Sequence, residues 1–584
     1  MKKLINKAET VVLEMCNGIA LAHPELEFIQ KYKIIKKRDI NKNKVSLISG
    51  GGSGHEPAHA GFVGQGMLDA AVCGDVFASP SQIQVYQAIR ETASDKGTLL
   101  IIKNYSGDMM NFKNAAYLAQ EDGIDVDYVR VEDDIAVEDS LYTVGRRGVA
   151  GTVFVHKIAG AAAEKGKSLL EVKAIAQKAA DNVRSLGFAF TSCTVPAKGT
   201  PTFDIADDEM EFGVGIHGEP GIEREKILTA DELATRIVNA LVDELKIEEG
   251  EEIALLINGF GATPLQELYL FNNAVSKILS VKRVHVVVTF VGNYMTSIDM
   301  AGASVSIMKL DAELKELLLS KSDAPAFKVD KYIKPREYNE VKLPNSSDDN
   351  ISFKVETDPA YTKIEDDILS IQNIVYIVDK MSEVIIDNEV SFCELDAHAG
   401  DGDFGMSVAK GFRQLKREWT ELVSEENLTI GSFLHKCSMI IMEYCGGASG
   451  PIWGSAFRAA ARSAGDKKEV TKEEFSNMLQ EAVRGIQITG ERSFGRGAVV
   501  GDKTLIDALI PCADSWTQNV NKKTMKELFI CGAEAAVEGA KNTEKIVARM
   551  GRAGTVGERS IGYPDAGAYG LGVIFTEIGK SLNA

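Results

Sequence analysis

The stretch Leu395-Asp396-Ala397-His398-Ala399-Gly400-Asp401-Gly402-Asp403-Phe404-Gly405 sets three carboxylates, Asp396, Asp401 and Asp403, into a glycine-broken turn. Like charges at this spacing repel, and each glycine adds conformational entropy that folding must remove. The segment becomes favourable when hard cations sit between the carboxylates. Mg²⁺ takes oxygen ligands and shares them with substrate phosphates. The residues therefore point to a magnesium–nucleotide site, against the plain alternative of a solvated acidic turn.

Three familiar patterns overlap or echo this stretch and fail on their chemistry. Gly400-x-Gly402-x-x-Gly405 fits the dinucleotide fingerprint, but it would face a pyrophosphate with two aspartates and follows a helical pattern rather than a strand. Asp403-Phe404-Gly405 spells the protein-kinase magnesium triplet without a His-Arg-Asp loop or a Val-Ala-Ile-Lys strand. Gly501-Asp502-Lys503-Thr504 carries an aspartate where a P-loop needs its glycine–lysine step. If the protein binds ATP, it does so without a Walker loop.

At 584 residues the chain exceeds one ordinary domain. A hydrophobic share of 45% beside 26% charged residues suits a water-soluble globular protein. The net charge of −19 argues against a nucleic-acid partner, which needs a basic footprint. The eight cysteines are scattered without a Cys-x-x-Cys pair, as expected of reduced thiols in a cytoplasm. The first residues lack the apolar run of a signal peptide, and no segment approaches the ~20 apolar residues of a membrane span.

Residues 1–330 alternate strand and helix signals. Val45–Ser49, Thr98–Ile102, Val126–Val131, Ile253–Ile257 and Val284–Val291 read as strands, and Thr229 to Lys246 as a helix opened by a Thr229/Glu232 capping box. The alternation predicts an α/β domain with two sub-domains, dividing near 180–190. Residues 331–356 are polar and turn-rich, which suits a linker. Residues 357–584 predict an all-α bundle, with a first helix on the Ile364, Ile368, Ile371, Val375, Val378 spacing and the aspartates in the loop after it. Further glycine-rich breaks at 446–450, 494–497 and 554–572 suit a site built from loops at one end of that bundle.

The first domain carries its own glycine clusters. After Val45–Ser49 comes Gly50-Gly51-Gly52-Ser53-Gly54-His55-Glu56-Pro57, where bare backbone can approach a small ligand and a following helix would add its dipole. Lys103-Asn104-Tyr105-Ser106-Gly107-Asp108 places a lysine, a hydroxyl and a carboxylate at a strand end. Gly213 to Gly221 sets His217 among four glycines, which leaves the imidazole without bulky neighbours. His156 and His285, on apolar strand-like runs, read as core histidines.

Taken in order, Gly50–Pro57, Asn104–Asp108, Gly215–Gly221, Gly400–Asp403 and Gly501–Thr504 resemble the motifs of single-chain ATP-dependent dihydroxyacetone kinases. The resemblance covers nearly the whole chain. It implies a substrate-binding (K-type) domain over 1–330 and a helical-barrel nucleotide (L-type) domain over 357–584. It further implies a small ketone held as a hemiaminal on His217, with Gly52, Ser53, Gly54, His55 and Lys103 around its oxygens. Asp108, assisted by His55, would be the base. In the second domain Asp396, Asp401 and Asp403 would hold two Mg²⁺ ions on ATP. Phe404, Gly405, Met406, Ser407, Ala448 and Ser449 would line the phosphates, and Gly497, Thr504, Leu505, Arg552, Asp565, Ala566 and Gly567 would enclose the nucleotide. The family also implies a homodimer and a barrel interior filled by side chains or a lipid-like ligand.

Phe404, Leu505 and Asp565-Ala566-Gly567 depart from the family's usual residues, which touches nucleotide packing more than the metal ligands. Erythrulose or glyceraldehyde as acceptor, a phosphoenolpyruvate-linked system, and a non-catalytic ligand sensor are the competing readings. Domain fusion disfavours the second. Retention of His217, Asp108 and the three aspartates disfavours the third. A flavin-nucleotide cyclising side activity stays open.

Overall fold

The computed structural model describes residues 2–138, 145–341, 352–551, 554 and 556–583. The chain divides into two units, Met1–Lys342 and Leu343–Ala584.

In the first unit, strands β1 (Leu26–Ile29), β2 (Ile34–Lys37), β3 (Ser46–Ser53), β4 (Ala70–Val76), β5 (Thr98–Lys103) and β6 (Val126–Val131) form one sheet in the order β1-β2-β4-β3-β5-β6. Its β4, β3, β5 and β6 are parallel, so ligand-facing loops gather at their carboxyl ends. Strands β7 (Val183–Ala189), β8 (Glu209–Phe212), β9 (Glu223–Lys226), β10 (Glu252–Gly259), β11 (His285–Gly292) and β12 (Gly302–Lys309) form a second sheet, ordered β11-β10-β12-β7-β8-β9. Helices Thr152–Glu164 and Leu169–Asp181 lie between the two sheets in the sequence. One apolar cluster contains Leu47 and Ile101 of the first sheet, Phe154 and Val172 of these helices, and Leu256 and Met308 of the second. The two halves therefore share a core.

The clearest helical signal is met, with Leu245 at its end only half-buried. Helix Ala230–Leu245 starts at Thr229, which accepts from the Glu232 amide in a capping box, and Leu233, Ile237 and Leu241 form its buried stripe. Other expectations change. His156 sits on a helix, not a strand, although it is fully buried. His285 is exposed, because β11 is an edge strand with one side open. Only the 3₁₀ turn Ala60–Phe62 follows the glycine turn after β3, so no helix dipole acts there.

The second unit is almost entirely helical among its described residues. Its first helix runs Ile371–Asp387, opened by a Ser370/Asn373 capping box. Ile364 and Ile368 precede that cap, Ile364 in irregular chain and Ile368 in a bridge to Glu365. A short helix, Glu389–Asp396, intervenes before the aspartate loop, so Asp396 ends a helix instead of starting a loop. Inside the unit, Ile377, Trp453, Phe457, Phe475, Leu509 and Phe575 are among the side chains around an apolar cavity of about 150 Å³.

Residues 342–351 of the expected linker lie outside the described residues. Its last residues are pinned to the second unit. The Glu356 and Thr357 amides donate to Asp379 Oδ2 at 2.8 and 2.9 Å. Buried Lys416 pairs with Asp379 Oδ1 at 2.5 Å and donates to the Lys354 carbonyl at 2.9 Å.

Candidate functional site

β3 and β5 pair in parallel, and their carboxyl ends bring Gly50–Ser53 beside Lys103. A Cβ on Gly51 would lie 3.3 Å from Lys103 Nζ and 3.5 Å from Asp108 Oδ2. A side chain at this position would press on the lysine where it converges with the aspartate. Lys103 is wholly buried, and its ammonium has no hydrogen-bond partner. A buried cation without an acceptor is costly, so this donor suits a ligand oxygen. Burial lowers the Lys103 pKa, opposed by Asp108 and by Asp133.

Asp108 lies in the first turn of helix Ser106–Glu121. Burial raises its pKa above the ordinary 3.8, while the Lys103 charge and the Ser79 hydroxyl pull it back. A carboxylate held this way accepts a proton more readily than a solvated one.

The second sheet supplies the partner imidazole. His217 sits in the loop between β8 and β9, and its Nε2 is 3.2 Å from Nε2 of His55. His55 Nδ1 lies 2.8 Å from the Thr296 carbonyl oxygen, which can only accept, so Nδ1 carries the proton. Burial holds both histidines well below 6.5, helped by the Lys103 charge, so both are neutral.

The expectation that glycines leave His217 without bulky neighbours is overturned. Its ring meets those of Tyr105, His55 and Phe77 edge to face, with centroids 4.3, 4.7 and 5.4 Å away. The glycines shape the loop backbone instead. A Cβ on Gly215 would fall 1.7 Å from Glu219 Oε1. Glu219 Oε2 accepts from the His217 amide at 2.8 Å, and Oε1 accepts from Arg147 Nη1 at 3.2 Å. Arg147 is 2% exposed and also holds Asp134 Oδ2 and the Gly213 carbonyl. The sequence reading missed Glu219, Arg147, Asp134, Tyr105, Phe77 and Thr296 as site residues. Glu219 and Tyr105 lay inside quoted motifs, whereas Arg147 carries no local signal.

Two expected substrate contacts are engaged internally. Ser53 Oγ donates to the Gly74 carbonyl at 2.7 Å, and the Gly54 amide donates to the Glu56 carboxylate at 3.0 Å. Gly52 instead allows close packing, since its Cβ would meet the Phe77 and Ala78 backbone within 2.9 Å.

In the second unit the three expected aspartates do converge. Asp396, Asp401 and Asp403 each offer a carboxylate oxygen, all within 4.8 Å of one another. Asp396 Oδ2 also accepts from the Gly402 amide at 3.0 Å, which shapes the loop. These oxygens border a cavity of about 210 Å³ that is also lined by Phe404, Ser407, Ala448, Ser449, Thr504, Leu505, Asp565, Ala566 and Gly567. Helices Phe404–Arg417 and Ser449–Ala464 begin at this cavity, and helix amino ends favour phosphate. Clustered oxygen ligands beside such ends fit a magnesium–nucleotide pair. Burial pushes Asp565 up to about 7, with the Ala568 amide opposing.

Three expected contacts are absent from the lining. Gly405 packs on the Glu389 carbonyl, the Met406 amide donates to Cys393 Sγ at 3.2 Å, and Gly497 lies against Gln487. Their backbones serve helix packing. Arg552 lies outside the described residues.

Comparison with known proteins agrees with this two-part layout. The Dak1 domain model matches residues 17–326, and the DAK2 domain model matches residues 398–580. Over 314 residues the chain is 52% identical to the dihydroxyacetone-binding subunit DhaK of a PTS-dependent dihydroxyacetone kinase from Listeria innocua, covering 54% of this chain and 95% of that one. It is 33% identical over the full length of both chains to an L-erythrulose 1-kinase of Mycolicibacterium smegmatis. A crystal structure of the C. freundii dihydroxyacetone kinase with AMP-PNP and Mg²⁺ superposes with a TM-score of 0.62 at 30% identity, covering 99% of each chain. ATP and Mg²⁺ are accordingly implied for a kinase of this type. The chain belongs to the dihydroxyacetone kinase family, in the form that fuses Dak1 and DAK2 domains on one polypeptide.

Proposed function

We propose that this protein transfers the γ-phosphoryl group of ATP to a terminal hydroxyl of dihydroxyacetone. The observation that carries this reading is the pair of neutral imidazoles, wholly buried His55 and half-buried His217, beside Lys103 and Asp108. Similarity of the same unit to a dihydroxyacetone-binding subunit supports the choice of acceptor.

Capture needs a lone pair on His217 Nε2. The proton on His55 Nδ1 is held by Thr296, so His55 Nε2 is free to accept one from His217 Nε2. His217 Nε2 then adds to the carbonyl carbon, the C=O π pair moves to oxygen, and that oxygen takes the proton from His55 Nε2 to become hydroxyl, which returns His55 to its neutral form. The Lys103 ammonium donates to a substrate oxygen. Asp108 accepts the proton of the terminal hydroxyl as that oxygen attacks the γ-phosphorus, and the bond to the β–γ bridging oxygen breaks with ADP as the leaving group.

Asp396, Asp401 and Asp403 would hold Mg²⁺, two ions in our reading, which neutralises charge on the phosphate oxygens. The helix ends at Phe404 and Ser449 would position those phosphates, and the Thr504–Leu505 and Asp565–Gly567 segments would enclose the nucleoside.

A second reading, with erythrulose as acceptor, is favoured by the full-length relative that phosphorylates it. ADP release should be measured with dihydroxyacetone, erythrulose, glyceraldehyde and glycerol at fixed Mg-ATP. Dihydroxyacetone should give the highest kcat/KM and glycerol, which has no carbonyl, none. A higher kcat/KM for erythrulose replaces the first reading with the second. Turnover of glycerol overturns carbonyl capture. We also propose a homodimer, which light scattering of the purified protein would test.

A further inference from the structure

Lys503 belongs to the Gly501–Thr504 motif, yet no part of the proposed chemistry uses it. It is 2% exposed, and its ammonium donates to the carbonyls of Thr543 at 2.8 Å, Tyr563 at 2.8 Å and Ile546 at 3.3 Å, and to that of Ser560. An ammonium has three N–H donors, and four acceptors already surround this one. None is left for a phosphate.

Four carbonyl oxygens aimed at one point repel one another unless a cation sits among them. Backbone carbonyls cluster this way around a dehydrated monovalent ion. Lys503 also holds φ at +61°, a left-handed conformation disfavoured for a residue with a side chain. The backbone accepts that strain at the position that delivers the charge.

Lys503 itself borders the nucleotide cavity, and the chain that supplies the gathered carbonyls runs into its wall: Met550 and Gly551 line it, as do Pro564, next to Tyr563, and Asp565 to Gly567. Thr543 Oγ1 accepts from the Asp565 amide at 2.8 Å. The Tyr563 ring lies flat on His398, with centroids 3.7 Å apart and planes 6° apart. His398 stands between Asp396 and Asp401 in the sequence, so the same hub reaches the aspartate loop.

We propose that Lys503 is a positioning residue for nucleotide binding, its ammonium acting as a built-in monovalent cation that fixes the cavity wall and, through Tyr563 and His398, the metal-binding loop. This rests on the reading of that cavity as the Mg-ATP site. Lys503→Met keeps the stem and removes the charge. In the full-length protein, calorimetry should show Mg-ATP affinity weakened by roughly tenfold or more. Dihydroxyacetone binding by the first unit should be unchanged. Lys503→Ala should regain Mg-ATP affinity with n-propylammonium chloride, which restores the lost atoms, and not with tetramethylammonium chloride, which has no N–H.

Wild-type protein that binds no Mg-ATP would sink the nucleotide reading itself. Wild-type binding matched by Lys503→Met overturns the role of Lys503 alone. Should Lys503→Met fail to fold, the two salts decide through Lys503→Ala. Recovery of folding and binding with n-propylammonium only supports the proposal, and equal behaviour in both salts overturns it.

Discussion

His55 and His217 meet Nε2 to Nε2 at 3.2 Å across 162 residues of sequence, and Thr296 fixes which nitrogen of His55 holds its proton. One imidazole comes from the end of a parallel strand and the other from a loop of the second sheet. Burial keeps both neutral, the state that the proposed capture requires.

Replacing His217 by Ala should abolish ketone trapping. Crystals soaked in dihydroxyacetone should show continuous density from His217 Nε2 to the carbonyl carbon in the wild type and none in the variant. A ligand held only by hydrogen bonds, at full activity, would remove covalent capture from the mechanism.

Asp108→Asn keeps the shape of the side chain but cannot take a proton. We expect kcat to fall by roughly 10²–10⁴-fold with ketone affinity retained. Because Asp108 works ionised and burial raises its pKa above 3.8, the wild-type rate should begin to fall on acidification at a higher pH than for a solvated carboxylate. The residual rate of Asp108→Asn should lack that limb. Near-normal kcat in the variant would assign the base elsewhere, with His55 the nearest candidate.

Arg147 is buried between Asp134 and Glu219, so removing its charge leaves buried Asp134 and half-buried Glu219 without their cation. Arg147→Met should destabilise the first unit by about 3–5 kcal/mol. Gly215→Ala should act more locally, by pushing Glu219 off the His217 amide. Thermal denaturation should separate the two, with a large loss for Arg147→Met. Gly215→Ala should lose ketone binding with a smaller drop in Tm.

Asp403→Ala leaves two of the three converging carboxylates. Calorimetry should show weaker Mg-dependent ATP binding, only partly restored by high Mg²⁺, with ketone binding intact. Unchanged metal-dependent affinity would reduce the aspartate loop to a solvated acidic turn.

Much of the architecture is legible in the sequence because it is encoded by short-range periodicity. The helix after Thr229 and the strand Val126–Val131 follow from residues three, four or two apart. The aspartate loop is equally legible, since its three ligands lie within eight residues of one another. Where local pattern misled, burial decided otherwise. The isoleucine spacing at 364 and 368 continued a helical phase into turns, because Ser370 caps the helix and stops it there. His217 looked isolated among glycines, because the sequence around it does not display Tyr105, Phe77 and His55.

Residue order alone was enough for the two-part α/β and all-α plan and for the convergence of the three carboxylates. Tertiary structure decided what holds them. Arg147 reaches Glu219 across 72 residues, and Lys503 gathers carbonyls 40 to 60 residues away. The reason is physical. A buried charge is stabilised by whichever opposite or polar groups the fold brings within hydrogen-bond distance, and that distance in space has no fixed counterpart in sequence.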